Sequence, residues 1–209
     1  MTIIENLNWR YATKEFDSAK KIPAEKLNEI LDAVHLAPTS YGLQPFKILV
    51  IDDPEIREQL KPAAYGQAQI TDASQLIVFA RIKNYGIEHV DEYAENIVDT
   101  RNIDPKVIEG FVGMMKGSVN SLTQEQLAEW NSKQCYIALG FLLFAAAGHR
   151  VDACPMEGFN AAQFDEILGL DEKNLSTVVI ATIGYRSEND ELQNLPKVRK
   201  SKEELFITI

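Results

Sequence analysis

The sequence predicts one domain in which helices and β-strands alternate around a central sheet. A chain of 209 residues is long enough to bury a substantial core as a single domain spanning 1–209. Segments with apolar residues at helical spacing alternate with short runs rich in β-branched residues, which are typical of strands. One long segment is apolar on nearly all sides and must be covered by other parts of the structure. The alternation taken alone favours a parallel α/β sheet.

The charge of the chain limits the partners that it can bind. Lys and Arg number 21 against 31 Asp and Glu, which gives a formal net charge of -10 at pH 7. Such a surface repels nucleic acid and anionic membranes, because both are bound through clustered cations. We therefore expect small-molecule partners, with neither nucleic acid nor membrane among them. Local clusters of basic residues therefore stand out in this acidic chain.

The two cysteines, Cys135 and Cys154, lie in apolar surroundings without CxxC spacing. This pattern supports neither a zinc site nor a disulfide framework. We expect two reduced, buried thiols and no metal centre. The first residues contain no basic segment followed by an apolar one, so no signal peptide is expected and the cytoplasm is the expected compartment.

Five elements are expected in the first 80 residues. They are a helix over 2–9, a helix over 24–36, a strand over 47–51, a helix over 54–61 and a strand over 76–80. Pro23 opens the second helix and Pro38 ends it. The run over 76–80 is apolar without interruption, which is typical of a buried strand.

Five further elements are expected after residue 80. They are a solvated helical region over 86–110, a helix over 133–150, a short helix over 161–168, a strand over 177–185 and a terminal strand over 205–209. The acidic region over 86–110 is either an exposed face or a lid over a pocket. The terminal strand needs a sheet edge to pair with, in its own chain or in a partner's.

The helix over 133–150 is the least polar part of the chain. Its uninterrupted apolar stretch, 135–148, is shorter than the roughly 20 residues that span a bilayer. It is therefore a core helix, and it favours a dimer interface, because one small domain has difficulty covering a helix on every side. Gly140 and Gly148 would allow a neighbouring helix to approach closely.

Basic residues are clustered near both ends of the chain. Arg10 and Lys14 lie four residues apart near the start, and the second cluster consists of Lys197, Arg199, Lys200 and Lys202. Arg suits phosphate, whereas Lys is a compact charge that can lie beside a delocalised anion. Solvated surface charges are the alternative for each cluster alone. No GxGxxG or GxxxxGK[ST] pattern occurs, which argues against Rossmann and P-loop proteins.

A polar loop over 37–46 separates the second helix from the first strand. It offers hydroxyl groups, the Gly42 backbone and the Gln44 amide, which suit the lining of a heteroaromatic ring. The alternative is a plain connection between a helix and a strand.

Five segments in this order resemble the FMN-dependent nitroreductase family. They are RYATKEFD at 10–17, APTSYGLQPF at 37–46, GQAQITDAS at 66–74, CPMEGF at 154–159 and LPKVRK at 195–200. Each segment alone is a weak signal, but their order and spacing along nearly the whole chain are specific.

The resemblance implies a set of cofactor-binding residues. They are Arg10, Tyr11, Ala12, Lys14, Pro38, Thr39, Ser40, Gln69, Pro155, Met156, Glu157, Gly158, Lys197 and Arg199. Arg10, Lys197 and Arg199 would bind the phosphate, and the backbone at 11–12 would lie near the flavin tail. Lys14 would lie at the N1–C2=O edge of the ring, where negative charge develops on reduction.

The remaining implied residues surround the ring. Thr39 and Ser40 would come from the partner subunit, and 155–156 would pack against one ring face. Glu157 and Gly158 would lie at the N5 edge, where a backbone N–H donates to the hydride-accepting atom.

Two departures from the family pattern affect this site. Many members carry Lys where this chain has Gln69, and Asn where it has Gly42. The region over 105–120 does not match well, and Phe111, Met114 and Met115 are its candidate lid residues.

The resemblance also implies a fold and an activity. The fold is α+β, with a mixed central β-sheet flanked by helices and a domain-swapped homodimer. The activity is ping-pong transfer of hydride from NADH or NADPH through FMN to nitroaromatics, quinones or flavins, without a catalytic side chain. A dedicated flavin or pteridine reductase, a non-catalytic FMN carrier and a structural dimer without cofactor are the alternatives.

Overall fold

The computed structural model describes residues 2–209. Within this range the chain forms nine α-helices and four β-strands. The helices are α1 (Ile3–Trp9), α2 (Ala24–His35), α3 (Pro54–Ala63), α4 (Gln69–Asp72), α5 (Ile87–Arg101), α6 (Glu109–Asn120), α7 (Gln124–Gly148), α8 (Ala161–Ile167) and α9 (Lys202–Leu205). The strands are β1 (Phe46–Ile51), β2 (Gln75–Ile82), β3 (Asp152–Met156) and β4 (Leu175–Gly184).

The four strands form one sheet in the order β1-β2-β4-β3, and all three pairings are antiparallel. The α+β class is therefore confirmed, and the parallel α/β sheet favoured by alternation alone is wrong. The parallel pairing expected of a mixed sheet is represented by an isolated bridge between Ala12 and Ala153. Helices that follow strands here return the chain to antiparallel neighbours, which periodicity alone does not reveal.

The central strand β2 explains how the sheet is covered on both faces. Its residues Leu76–Ala80 are fully buried. Ile77 and Phe79 pack in the core cluster that includes α2 and α7, whereas Leu76 and Val78 pack with residues of α3 and α8. Successive side chains of a strand point to opposite faces of the sheet, so β2 contributes to the core on each face. The predicted buried strand is confirmed.

Helix α7 buries only one face within the chain. It begins at Gln124, nine residues before the predicted start at 133, where Thr123 forms a capping box. Its other face carries an exposed apolar stripe. The stripe consists of Tyr136, Ile137, Phe141 and Phe144, each at least 36% exposed. The expectation that this helix is covered on every side is therefore not met by a single chain.

Two regions differ from the sequence-based elements. Residues 152–156 form β3, which the sequence did not indicate because Pro155 interrupts a short strand; an edge strand tolerates this proline. Residues 205–209 were expected as a strand, but the chain has the short helix α9 followed by exposed extended residues. This expectation is wrong for the single chain, because no free sheet edge of the same chain is paired with the tail.

The acidic region after β2 is helical, as predicted. It contains α5, a short 3-10 helix at Pro105–Ile108, and α6. Across residues 2–209, no helix combines the length and the apolar character that crossing a bilayer requires.

Candidate functional site

The first basic segment is attached to the edge strand β3. After α1 the backbone becomes extended at Arg10. The bridge between Ala12 and Ala153 then aligns residues 10–14 with β3, and the Thr13 N–H donates to the Ala153 carbonyl at 3.5 Å. The segment therefore lies along the sheet edge, where its side chains are held in a fixed order.

Asp190 fixes the same segment from the other side. Its carboxylate accepts hydrogen bonds from the Tyr11 hydroxyl at 2.8 Å, the Lys14 N–H at 2.8 Å, the Glu15 N–H at 3.1 Å and the Leu192 N–H at 3.1 Å. Burial alone would raise the pKa of Asp190, but these donors outweigh burial and hold the pKa below its ordinary value. The sequence analysis missed this residue, because its only local signal is an Asp before a short turn.

Arg186 and Asp152 form a second contact that supports this segment, and we call the segment over 10–14 together with these two residues the platform. The Arg186 Nε donates to the Asp152 carboxylate at 2.8 Å. The Arg186 guanidinium also lies over the rings of Trp9 and Tyr11, with its central carbon 4.3 Å and 4.6 Å from the ring centroids. The Trp9 ring is also contacted by Arg150. These contacts join α1, β3 and the segment after β4 into one unit.

The two basic clusters meet at this platform. The pKa of Lys197 is lowered, first by burial and then by the charges of Arg10 and Arg199. The pKa of Arg10 is lowered by burial and by Arg199. Within residues 2–209, none of the three forms an ion pair with a carboxylate. Lys197 donates to the Asn8 carbonyl, and the buried Arg10 Nε has no hydrogen-bond partner in this range. Three repelling cations with an unsatisfied donor fit an anion such as a phosphate.

Lys14 lies beside the thiol of Cys154 in β3. Its Nζ is 3.8 Å from the Cys154 Sγ. Burial raises the pKa of Cys154, whereas Lys14 and a hydrogen bond with the Gln69 side chain act in the opposite direction. Gln69 is buried at 6% exposure, and its neutral amide and the Lys14 ammonium both contact the Cys154 thiol. In the same strand Pro155 is half-buried and Met156 is buried.

The chain leaves β3 through an exposed turn at Glu157 and Gly158. The Tyr136 hydroxyl donates to the Glu157 carboxylate at 2.5 Å, and the Gln67 Nε2 donates to the Gly158 carbonyl at 2.7 Å. A Cβ atom added to Gly158 would meet only the Gln67 Nε2, at 3.7 Å, which is ordinary contact. No neighbour among residues 2–209 therefore requires glycine here, and its small size fits the close approach of an external group.

The loop with Pro38, Thr39 and Ser40 lies elsewhere. Its backbone is held by two side-chain contacts: the Ser40 N–H donates to the Gln134 Oε1 at 2.9 Å, and the Gln44 N–H donates to the Thr39 Oγ1 at 3.1 Å. The loop leads into β1, whereas the cationic platform adjoins β3. These are the two opposite edge strands of the sheet.

The strand register gives the distance between these regions. Phe46 pairs with Arg81, whereas Ala153 pairs with Ile183, which pairs with Gln75. Phe46 and Ala153 are thus three strand spacings apart, about 14 Å, and lie level with opposite ends of β2, which adds about 20 Å. The single chain brings together the residues implied at 10–14, 69, 155–158, 197 and 199, but it does not bring 38–40 to them.

The same loop explains one departure from the family pattern. Gly42 has a φ of +83°, and a Cβ atom there would lie too close to the Tyr93 hydroxyl oxygen. Asparagine at this position would require Tyr93 to move, so the glycine is matched to its neighbour.

The three candidate lid residues differ in how far their side chains are exposed. Phe111 is 37% exposed and contacts Tyr41 edge to face, and Met114 is 52% exposed, but Met115 is fully buried in the core. Phe111 and Met114 therefore remain available at the surface, whereas Met115 is a core residue. A separate cleft of about 710 Å³ between α5 and α6 contains none of the implied cofactor residues.

Comparison with known proteins is consistent across sequence and structure. A family model described as "Nitroreductase family" matches residues 7–185. A Staphylococcus haemolyticus protein named "Putative NAD(P)H nitroreductase" is 33% identical over 215 residues, which cover 98% of this chain and 96% of that protein.

Two solved structures share the fold over nearly their whole length. A "putative nitroreductase" from Bacillus subtilis has a TM-score of 0.88 at 23% identity and covers 99% of this chain and 98% of its own. A "putative nitroreductase in complex with FMN" from Exiguobacterium sibiricum has a TM-score of 0.85 at 22% identity and covers 100% of this chain and 98% of its own. At these identities the structures establish the fold, while the family model and the relative establish membership. This chain belongs to the nitroreductase family.

Proposed function

We propose that this protein is an FMN-dependent oxidoreductase that uses NADPH or NADH to reduce nitroaromatics, quinones or free flavins. The observation that carries the proposal is the cluster of Arg10, Lys197 and Arg199, which has no carboxylate partner among residues 2–209 and suits a phosphate. A structural relative is described in complex with FMN, which supports this choice of cofactor. Bound FMN would supply the redox chemistry, accepting hydride from the nicotinamide and passing two electrons to the acceptor in a ping-pong sequence.

The residues of the chain bind and orient rather than react. Arg10, Lys197 and Arg199 provide charge-assisted hydrogen bonds for a phosphate. Lys14 provides a positive charge beside β3 for the ring edge that becomes negative on reduction. Gln69 contributes hydrogen bonding without a second charge, so the proposed site has one cation at that edge. No Ser–His or Cys–His pair among the implied residues is required by this scheme.

We propose further that the site is completed in a homodimer. The loop with Thr39 and Ser40 leads into β1, whereas Lys14 lies beside β3 at the opposite edge of the sheet, and a second chain would supply these hydroxyl groups to the site. The exposed stripe of α7, with Phe141 and Phe144, offers an apolar surface for that chain. The apolar tail at 205–209 is exposed and provides a second surface.

An anaerobic absorbance spectrum with NADPH, then NADH, then a quinone tests this function. A yellow protein that bleaches with a nucleotide and recovers its colour with the quinone is the expected result. A yellow protein that does not bleach with either nucleotide supports the FMN carrier instead. A colourless protein that does not take up added FMN contradicts the proposal.

Replacement of Arg199 by alanine is expected to weaken FMN binding. Losing a charge-assisted hydrogen bond to the phosphate costs about 1.5–3 kcal/mol, which corresponds to a rise in Kd of roughly 10-fold to 100-fold. Quenching of flavin fluorescence on titration measures the Kd. Lys200→Ala is the control, because it removes an adjacent charge outside the implied phosphate ligands. Equal affinities of Arg199→Ala and the unmodified protein would contradict the phosphate role.

A chain ending at Glu204 is expected to lose the dimer. Removal of residues 205–209 deletes three exposed large apolar side chains, Leu205, Phe206 and Ile207, at 62%, 67% and 84% exposure, together with Ile209. Sedimentation velocity of the shortened and full chains measures the effect. Val107→Ala is the control, because it trims an exposed apolar residue outside the proposed interface. A shortened chain that still sediments as a dimer removes the tail from the interface.

A further inference from the structure

We propose that Gln67 and Tyr136 are positioning residues that orient the Glu157–Gly158 peptide toward the cofactor ring. This inference rests on the proposed function, because it concerns how the chain presents one backbone N–H to bound FMN. Neither residue belongs to the cofactor-binding set implied by the sequence. Both contact the turn that follows β3, from two different parts of the fold.

Gln67 holds the turn through both hydrogens of its side-chain amide. Its Nε2 donates to the Gly158 carbonyl at 2.7 Å and to the Ala64 carbonyl at 3.0 Å. A second hydrogen bond joins the same two parts of the chain: the Asn160 N–H donates to the Ala63 carbonyl at 2.8 Å. The turn is thereby fastened to the end of α3. Only an amide or a cation supplies two such donors, so glutamate cannot replace Gln67 here.

Tyr136 holds the preceding residue from α7. Its hydroxyl donates to the Glu157 carboxylate at 2.5 Å. Partial burial of the hydroxyl, the hydrogen bond to Glu157 and the charge of Glu157 together raise the pKa of Tyr136 to about 12. The hydroxyl therefore stays protonated at neutral pH and remains a donor to the carboxylate.

These contacts leave one donor of the turn free. The Glu157 carbonyl accepts from the Phe159 N–H at 2.9 Å, so it faces the chain that follows. In a trans peptide the Gly158 N–H points away from that carbonyl. Within the described range the Gly158 N–H has no hydrogen-bond partner, and Gly158 is exposed without a side chain. A fixed, unpaired N–H beside open space is a preorganised donor for a ligand atom.

The variants Gln67→Glu and Tyr136→Phe test this role. Each removes donors while keeping the size of the side chain. Gln163→Glu and Tyr185→Phe are matched controls, because their side chains make no hydrogen bond among residues 2–209 and lie outside the implied site. Three quantities are measured: the FMN Kd, the rate of flavin reduction at saturating NADPH, and the shift of the Gly158 amide resonance of the apo-protein when FMN is added.

The expected result separates positioning from simple stability. In both variants reduction slows about 10-fold at saturating NADPH, and the Gly158 amide shift on FMN addition falls by at least half. The FMN Kd stays within the range of the controls, and the reduction rate is compared for the folded fraction, so that a lower melting temperature of the apo-protein does not by itself explain the slower reduction. A purely structural role would instead change the melting temperature and leave the reduction rate of the folded fraction unchanged.

Two outcomes overturn the inference, and they are distinguishable. If the unmodified protein binds FMN and is reduced by NADPH, but both variants match it in rate and amide shift, the positioning role is wrong and the proposed function stands. If the unmodified protein binds no FMN, the proposed function is wrong and the inference falls with it.

Discussion

Replacement of Asp190 by alanine is expected to lower the free energy of unfolding by about 3 kcal/mol, because a buried carboxylate that satisfies several donors is lost. The residue is only 2% exposed. Its removal leaves the N–H groups of Lys14, Glu15 and Leu192 and the Tyr11 hydroxyl without their acceptor. Water reaches such a buried position poorly, so most of the lost hydrogen bonding is not recovered.

The same substitution is expected to weaken FMN binding, although Asp190 is not a proposed ligand. The carboxylate holds the backbone at Lys14 and Glu15, and therefore the path of the segment that carries Arg10 and Lys14. A loosened segment must be ordered again when the phosphate binds, which opposes binding. The FMN Kd is expected to rise by at least tenfold.

Asp190 also predicts how stability depends on pH. Its pKa in the folded protein is below the ordinary value of about 3.9. A lowered pKa means that the contribution of the carboxylate to stability is fully present above pH 4 to 5. This contribution is lost as the pH falls through the lower folded pKa, because protonation then favours unfolding. Stability of Asp190→Asn should therefore decline less steeply below pH 4 than stability of the unmodified protein.

Urea denaturation of the apo-protein at pH 7 and over the range below pH 5 measures both effects. Glu191→Gln is the matched control, since it removes one neighbouring negative charge that makes no such hydrogen bonds. If Asp190→Ala unfolds at the same urea concentration as Glu191→Gln, the carboxylate is not the organising contact of this segment.

The sequence predicted the cationic part of the site but not its support. Arg10, Lys197 and Arg199 are visible because basic clusters are unusual in a chain with a net charge of -10, and in the structure the charges of Arg10 and Arg199 act on Lys197. Asp190 is one of many acidic residues, and its role depends on a contact across 176 positions with the Lys14 N–H. No local pattern reports such a long-range contact.

The sequence pattern also could not predict whether neighbouring strands are parallel or antiparallel. The apolar run at 76–80 identifies a buried strand, but its neighbours are chosen by the connections and not by its own residues. The exposed stripe on α7 is likewise invisible from composition, because the buried and exposed faces of this helix are both apolar. This is why the segment looked apolar on every side, and the proposed homodimer would cover the exposed face.

Replacement of Arg57 by methionine is expected to cost about 4 kcal/mol of folding free energy, since three hydrogen bonds from one charged group are lost together. The sequence places Arg57 on an ordinary surface helix, but the side chain is 3% exposed. Its guanidinium donates to the carbonyls of Ile70 at 2.6 Å, Ala73 at 2.7 Å and Ser74 at 3.0 Å. Burial lowers the pKa of Arg57, but a guanidinium remains charged at neutral pH.

The reason for so large an effect lies in the acceptors. Three carbonyl groups in α4 and the two residues after it converge on Arg57, and methionine has about the volume of the arginine side chain but no donor. The buried carbonyls would lose their partners while the packing is retained, which isolates the hydrogen bonds from the apolar contribution. Arg57→Lys is expected to be intermediate, because an ammonium group has three donors but lacks the planar fork that reaches all three carbonyls.

Urea denaturation of the apo-protein compares Arg57→Met with Arg101→Met, which makes the same chemical change at an exposed position in the last turn of α5. Since Gln69 directly precedes Ile70, the folded fraction of Arg57→Met should also bind FMN more weakly than Arg101→Met does. Equal unfolding midpoints of the two variants would show that water or a shifted backbone satisfies these carbonyls. Helix α4, which begins at Gln69, would then owe its position to the apolar residues Ile70 and Ala73, which are both fully buried.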